Sequence, residues 1–126
     1  MRHAVSREEL PRFEVGPKGS HARIFNGAQH ELPSVSLMLA ELQPGEGPAW
    51  HRHDYDEVFS IFEGEATFTI GEETIVADYG QVVLAQARVP HRFENSGDGV
   101  LKLTAVHVAP NVAIEWLDEP SNAAAS

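Results

Sequence analysis

The chain has 126 residues, enough for one domain with a single buried core and too few for two. Nineteen Asp and Glu against nine Lys and Arg give a net charge of -10, which disfavours a phosphate backbone as partner, so no nucleic acid is expected. Without any cysteine there is neither a disulfide framework nor a thiolate ligand, and a metal would have to be held by nitrogen and oxygen.

Residues 1–9 lack the apolar stretch of a signal peptide, and no segment approaches the roughly 18 apolar residues of a membrane span. The expectation is a soluble, cytoplasmic protein without membrane partners. Ser6 with Glu9 three residues on predicts a capping box around a short turn that Pro11 ends, and residues 1–20 read as an N-terminal arm appended to the domain. Short β-like runs follow at 22–25, 35–42, 57–62, 66–70, 74–77, 81–85, 91–94 and 100–108. Turn residues separate them, among them Asn26-Gly27, Pro44-Gly45, Gly64, Gly71, Gly80 and Gly97-Asp98-Gly99. Evenly spaced short strands of this kind predict an all-β sandwich or barrel over residues 21–117. A helical period emerges only at 113–117, and residues 118–126 read as a disordered tail. There is no internal repeat.

From Glu41 to Asp78 there are ten carboxylates and one basic residue, Arg52, so the acidity gathers round one stretch. Most of these carboxylates read as solvated hairpin tips. Within the stretch, His51 and His53 stand two residues apart, and on an extended strand such residues point the same way and can grip one ion. Imidazole and carboxylate together suit first-row transition metals, and neutral histidines leave most of a divalent charge free to polarise a substrate.

Gly45, His51, His53, Glu57 and Gly64 stand at the spacing of the first motif of the cupin superfamily, and Gly80, His91 and Asn95 match the second. Gln86 and Arg88 depart from that second motif, standing where the family has Pro and Gly, so the loop before His91 is expected to differ in shape. The chain thus resembles a small, single-domain cupin. The resemblance implies a conical β-barrel of the double-stranded β-helix or jelly-roll kind. It also implies a single divalent transition metal ion, Fe(II), Mn, Ni, Co, Cu or Zn, held by His51, His53, Glu57 and His91. Such a site leaves positions free for substrate, dioxygen or water. The superfamily shares no single reaction, so fold and ligands leave the activity open.

Glu57, Phe59 and Ile61 share one face of their strand while Val58, Ser60 and Phe62 share the other, and both faces carry bulk. The second face is expected to be covered by another sheet or subunit, which suggests a homodimer. Phe59, Ile61, Phe68 and Phe93 are candidates for apolar walls around the metal. Arg88 is a candidate to hold a substrate carboxylate, a solvated loop position being the alternative. His107 shares strand parity with Leu101, Leu103 and Ala105, which makes it either a pocket residue or a hydrogen-bonded core histidine.

Three functions remain open. The first is a metal-dependent oxidoreductase of dioxygenase type acting on a small metabolite, with Glu57 as proton acceptor if it leaves the metal during turnover. The second is a non-catalytic ligand-binding or sensory barrel. The third is a metal-dependent isomerase or epimerase, which needs no dioxygen.

Overall fold

A computed structural model describes residues 2–119, so the tail expected at 118–126 lies mostly outside the described residues. Among the described residues, eleven strands run in the order β1 (Arg12–Glu14), β2 (His21–Phe25), β3 (Ser36–Leu42), β4 (His51–Arg52), β5 (Glu57–Glu63), β6 (Glu65–Ile70), β7 (Glu73–Asp78), β8 (Val82–Ala85), β9 (His91–Asn95), β10 (Leu101–His107) and β11 (Glu115–Trp116). They form two antiparallel sheets, one ordered β1-β2-β3-β10-β5-β8 and the other β11-β4-β9-β6-β7. The all-β expectation holds, with strand positions close to those the alternation predicts.

Period-two alternation explains the layering. On β5, Glu57, Phe59 and Ile61 are buried, and on β10 so are Leu101, Leu103, Ala105 and His107. The facing sheet answers with Ala66, Phe68 and Ile70 from β6 and His91, Phe93 and Asn95 from β9. Between the sheets lies one core whose centre is fully buried Phe59 and Phe68, their ring centroids 4.9 Å apart. Gly64 turns β5 into β6 at φ 87°, and an added Cβ would sit 2.6 Å from the Val100 carbonyl oxygen, so only glycine fits. Buried Asn95 ties the far end together, its side-chain amide donating to the carbonyls of Leu42 and Gly99 at 2.9 and 2.7 Å.

Among the described residues, no further sheet covers the outer face of the larger one. Phe62, Val82 and Leu84 are 57, 60 and 57 % exposed there.

Two terminal segments depart from the sequence reading. Ser6 does cap a short 3-10 turn, Arg7–Glu9, with its N–H donating to the Glu9 carboxylate at 2.8 Å. The rest of the expected arm is no appendage, because Arg12–Glu14 pairs with β2 as an edge strand. Where residues 113–117 show a helical period, the chain instead forms β11, which pairs Glu115 with Arg52 and Trp116 with His51. The tertiary pairing outweighs a period only five residues long.

Candidate metal centre

His51 opens β4, His91 opens β9, and the two are register partners across the smaller sheet. His53 follows just after β4, and Glu57 begins β5 on the opposite sheet. All four are buried, at 5, 1, 3 and 4 % exposure for His51, His91, His53 and Glu57. Each offers one ligand atom, and these atoms lie within 4.8 Å of one another. The side chains implied as ligands by the motif spacing therefore converge on one point.

Hydrogen bonds fix which nitrogen each histidine presents. The Nδ1 atoms of His51, His53 and His91 stand 2.6, 2.7 and 2.9 Å from the carbonyl oxygens of Ala49, Ala113 and Val89. A carbonyl only accepts, so each Nδ1 carries the hydrogen and each Nε2 turns a lone pair inward. Glu57 Oε1 lies 3.0 Å from His91 Nε2 and 3.1 Å from His53 Nε2. Among the described residues, His53 Nε2 finds no partner that satisfies hydrogen-bond geometry. Where these imidazoles are neutral, acceptors face acceptors in a buried site, an arrangement that a cation resolves and whose backbone-anchored histidines are typical of metal sites. A divalent transition ion fits this donor set of three imidazoles and a carboxylate.

Glu57 is the charge that organises the cluster. Burial pushes its pKa up, but the contacts with His107, His53 and His91 outweigh that and hold it well below the usual carboxylate range. For His53, burial pulls the pKa down while the Glu57 contact prevails and raises it. Burial drives His51 the other way, down to about 4, with His91 and His53 adding to the effect. The unfolded chain takes up the His51 proton near 6.5 and the folded chain only near 4. Stability tied to His51 is therefore complete above pH 6.5 and lost as pH falls toward 4, by roughly 3 kcal/mol in all. Metal-free protein is expected to lose more stability between pH 7 and pH 4.5 than metal-free His51→Gln, measured by denaturant midpoints; equal losses would contradict the assignment.

A cavity of about 40 Å³ opens beside the cluster. Its described lining is apolar, including Phe59, Phe93, Met38 and Leu103, apart from His51, His53, Glu57 and His107. Phe59, Phe93 and His107 therefore reach the cavity, whereas Ile61 and Phe68 lie in the core away from it. Arg88 stays outside, its guanidinium turned to Asp54 on the surface at 2.6 Å. Its backbone adopts the left-handed φ of 69°, the conformation for which glycine is the easy residue, and its N–H donates to the His53 carbonyl at 2.7 Å. The loop before His91 keeps a glycine-like bend despite the arginine.

Some residues here escaped the sequence reading. Trp116 comes within 5.4 Å of the His51 ring and stacks on Phe13 at 6.4 Å, so β1 and β11 both line the cavity. No local spacing links positions 13 and 116. Tyr55 was in plain view, sharing strand parity with His51 and His53.

The cupin domain family matches residues 38–107, more than half of the chain. The chain belongs to the cupin family. This cupin is 24 % identical over 105 residues to the HTH-type transcriptional regulator PuuR of Escherichia coli, covering 82 % of this chain and 55 % of the regulator. The chain thus spans about half the length of that relative. Among solved structures, the Mn(II)-containing oxalate decarboxylase of Bacillus subtilis superposes with a TM-score of 0.76 at 20 % identity, covering 83 % of this cupin and 30 % of the decarboxylase chain. An uncharacterized double-stranded β-helix protein of Klebsiella pneumoniae gives a TM-score of 0.74 at 16 % identity, with 94 % of this cupin and 100 % of that chain covered. At these identities the likeness shows the fold alone.

Proposed function

We propose that this cupin is a metal-dependent oxidoreductase of dioxygenase type, acting on a small, largely apolar metabolite beside the site of His51, His53, Glu57 and His91. The observation that carries this reading is the inward set of histidine lone pairs around one buried carboxylate, opening onto an apolar cavity. A bound divalent ion would supply Lewis-acid polarisation of a substrate oxygen and an attachment point for dioxygen. The chain's own residues do the rest. Phe59, Phe93 and Leu103 exclude water, and Glu57, once released from the ion, accepts a proton from the substrate. With no Lys or Arg in the described lining, the cavity favours a substrate whose polar atoms all lie at the metal end.

The likeness to a transcriptional regulator favours a second reading, a sensory barrel that binds a small molecule without turning it over. Oxygen consumption separates the two. Protein loaded in turn with Fe(II), Mn, Ni, Co, Cu or Zn and given a panel of small enolisable carbonyl compounds is expected to take up oxygen in one metal form. A thermal shift on ligand addition without turnover would favour the sensor. Product without oxygen uptake would favour an isomerase or epimerase.

A cytoplasmic homodimer is also part of the proposal, formed over the uncovered outer face with Phe62, Val82 and Leu84. No described helix is long and apolar enough to cross a membrane. Sedimentation at micromolar concentration is expected to give twice the chain mass, and a monomer there would remove the dimer.

A further inference from the structure

Beneath the four clustered ligands lies a fourth histidine, His107, which is fully buried and is not a member of the ligand set. Its Nε2 stands 3.0 Å from Glu57 Oε2, on the side of the carboxylate away from His53 and His91, both of which face Oε1. Its Nδ1 lies 2.7 Å from the Tyr55 hydroxyl. That hydroxyl accepts the Ala113 N–H at 3.0 Å. The hydroxyl in turn donates to the Ala113 carbonyl at 3.2 Å, the oxygen that also takes the His53 Nδ1–H at 2.7 Å. Its contact with Nδ1 fixes the His107 ring so that Nε2 faces Glu57. His107 Nε2 makes no hydrogen bond of acceptable geometry, so it holds Oε2 by close polar contact at 3.0 Å.

We propose that His107 and Tyr55 are positioning residues for the metal centre: together they occupy Oε2 of Glu57, so that this carboxylate presents Oε1 alone to the ion. The inference rests on the metal reading above. Ala113 joins the device to the rest of the site, because this one residue holds His53 through its carbonyl and Tyr55, and so His107, through its N–H. A carboxylate restricted to one oxygen leaves an additional coordination position for substrate. The segment between β10 and β11 is thereby part of the metal centre, though it supplies no ligand. A histidine serving the core alone would have no reason to aim its free nitrogen at the one buried carboxylate.

Cobalt(II) titration and Cu(II) electron paramagnetic resonance on the full chain test this. His107→Leu is expected to bind cobalt about 10- to 100-fold more weakly, the range usual for loss of a ligand's supporting partner, with a shifted visible spectrum and an unchanged count of copper-bound nitrogens. Tyr55→Phe, which removes one hydroxyl at the edge of the core, is expected to move affinity and spectrum in the same direction by less. His107→Gln, with an amide N–H to offer Oε2, is expected to recover most of the affinity. Thermal melts of the metal-free forms accompany the titrations, and Tyr55→Phe decides the matter if His107→Leu does not fold. Wild-type affinity and spectrum in the folded variants would overturn the inference alone. Loss of one copper-bound nitrogen in His107→Leu would also overturn it, by making His107 a ligand. Wild-type protein that takes up no cobalt would overturn the metal reading and this inference with it.

Discussion

Glu57→Gln is expected to lower divalent-metal affinity by more than a hundredfold while leaving the barrel folded. Loss of a residue that only supports a ligand typically costs 10- to 100-fold, and Glu57 stands in the ligand set itself as the one anion among three imidazoles. The substitution keeps side-chain length and volume, so the core around it has no new cavity to collapse. It removes the negative charge that a buried divalent ion requires and the carboxylate that His53, His91 and His107 all approach within 3.1 Å. A neutral amide also brings an NH₂ group, which points hydrogens where lone pairs are needed. Elemental analysis after gel filtration, with calorimetric titration, measures the effect. Glu57→Gln holding one equivalent of metal at wild-type affinity would remove this carboxylate from the site.

The parts of this site that were legible in the sequence are those encoded by short-range spacing. His51 and His53 sit two apart on an extended stretch, and resemblance to the family's motif spacing added Glu57 and His91, which open β5 and β9. Face assignment along β5 was equally readable, because Glu57, Phe59 and Ile61 all fall on the buried parity. What stayed hidden depends on contacts between distant segments. β1 has three residues and β11 two, too short for any pattern, and both owe their existence to the edges they pair with. Phe13 and Trp116 meet only because those edges come together beside one cavity. His107 illustrates the boundary between the two cases. Its inward direction follows from parity with Leu103 and Ala105, but its partner across the sheet, Glu57, is fixed by the β5–β10 register, which no local pattern announces. Arg88 shows the converse: its residue type suggested a substrate clamp, while its backbone position in a left-handed bend carries the side chain outward to Asp54.

Phe59→Ala is expected to cost about 3–5 kcal/mol, a large share of the roughly 5–15 kcal/mol that a domain of this kind has to lose. The ring is fully buried in the middle of β5, with Phe68, Phe93 and His91 at centroid distances of 4.9, 5.4 and 6.1 Å. It also walls the existing cavity, so truncation joins a new void to one of about 40 Å³ rather than leaving a gap the neighbours can fill. The strands on both sides hold their positions through ladders to β10 and β8, which limits relaxation and places the cost toward the upper end. His91 loses the ring beside it, so metal affinity is expected to fall along with stability. Phe59→Leu, which keeps most of the volume, is expected to recover more than half of the loss. Val82→Ala on the outer face, where the side chain is 60 % exposed, is expected to change stability by less than about 0.5 kcal/mol in the monomer. Denaturant midpoints of the metal-free proteins at equal slope measure all three. A Phe59→Ala midpoint close to that of Val82→Ala would mean that this ring does not stand between the metal site and the core.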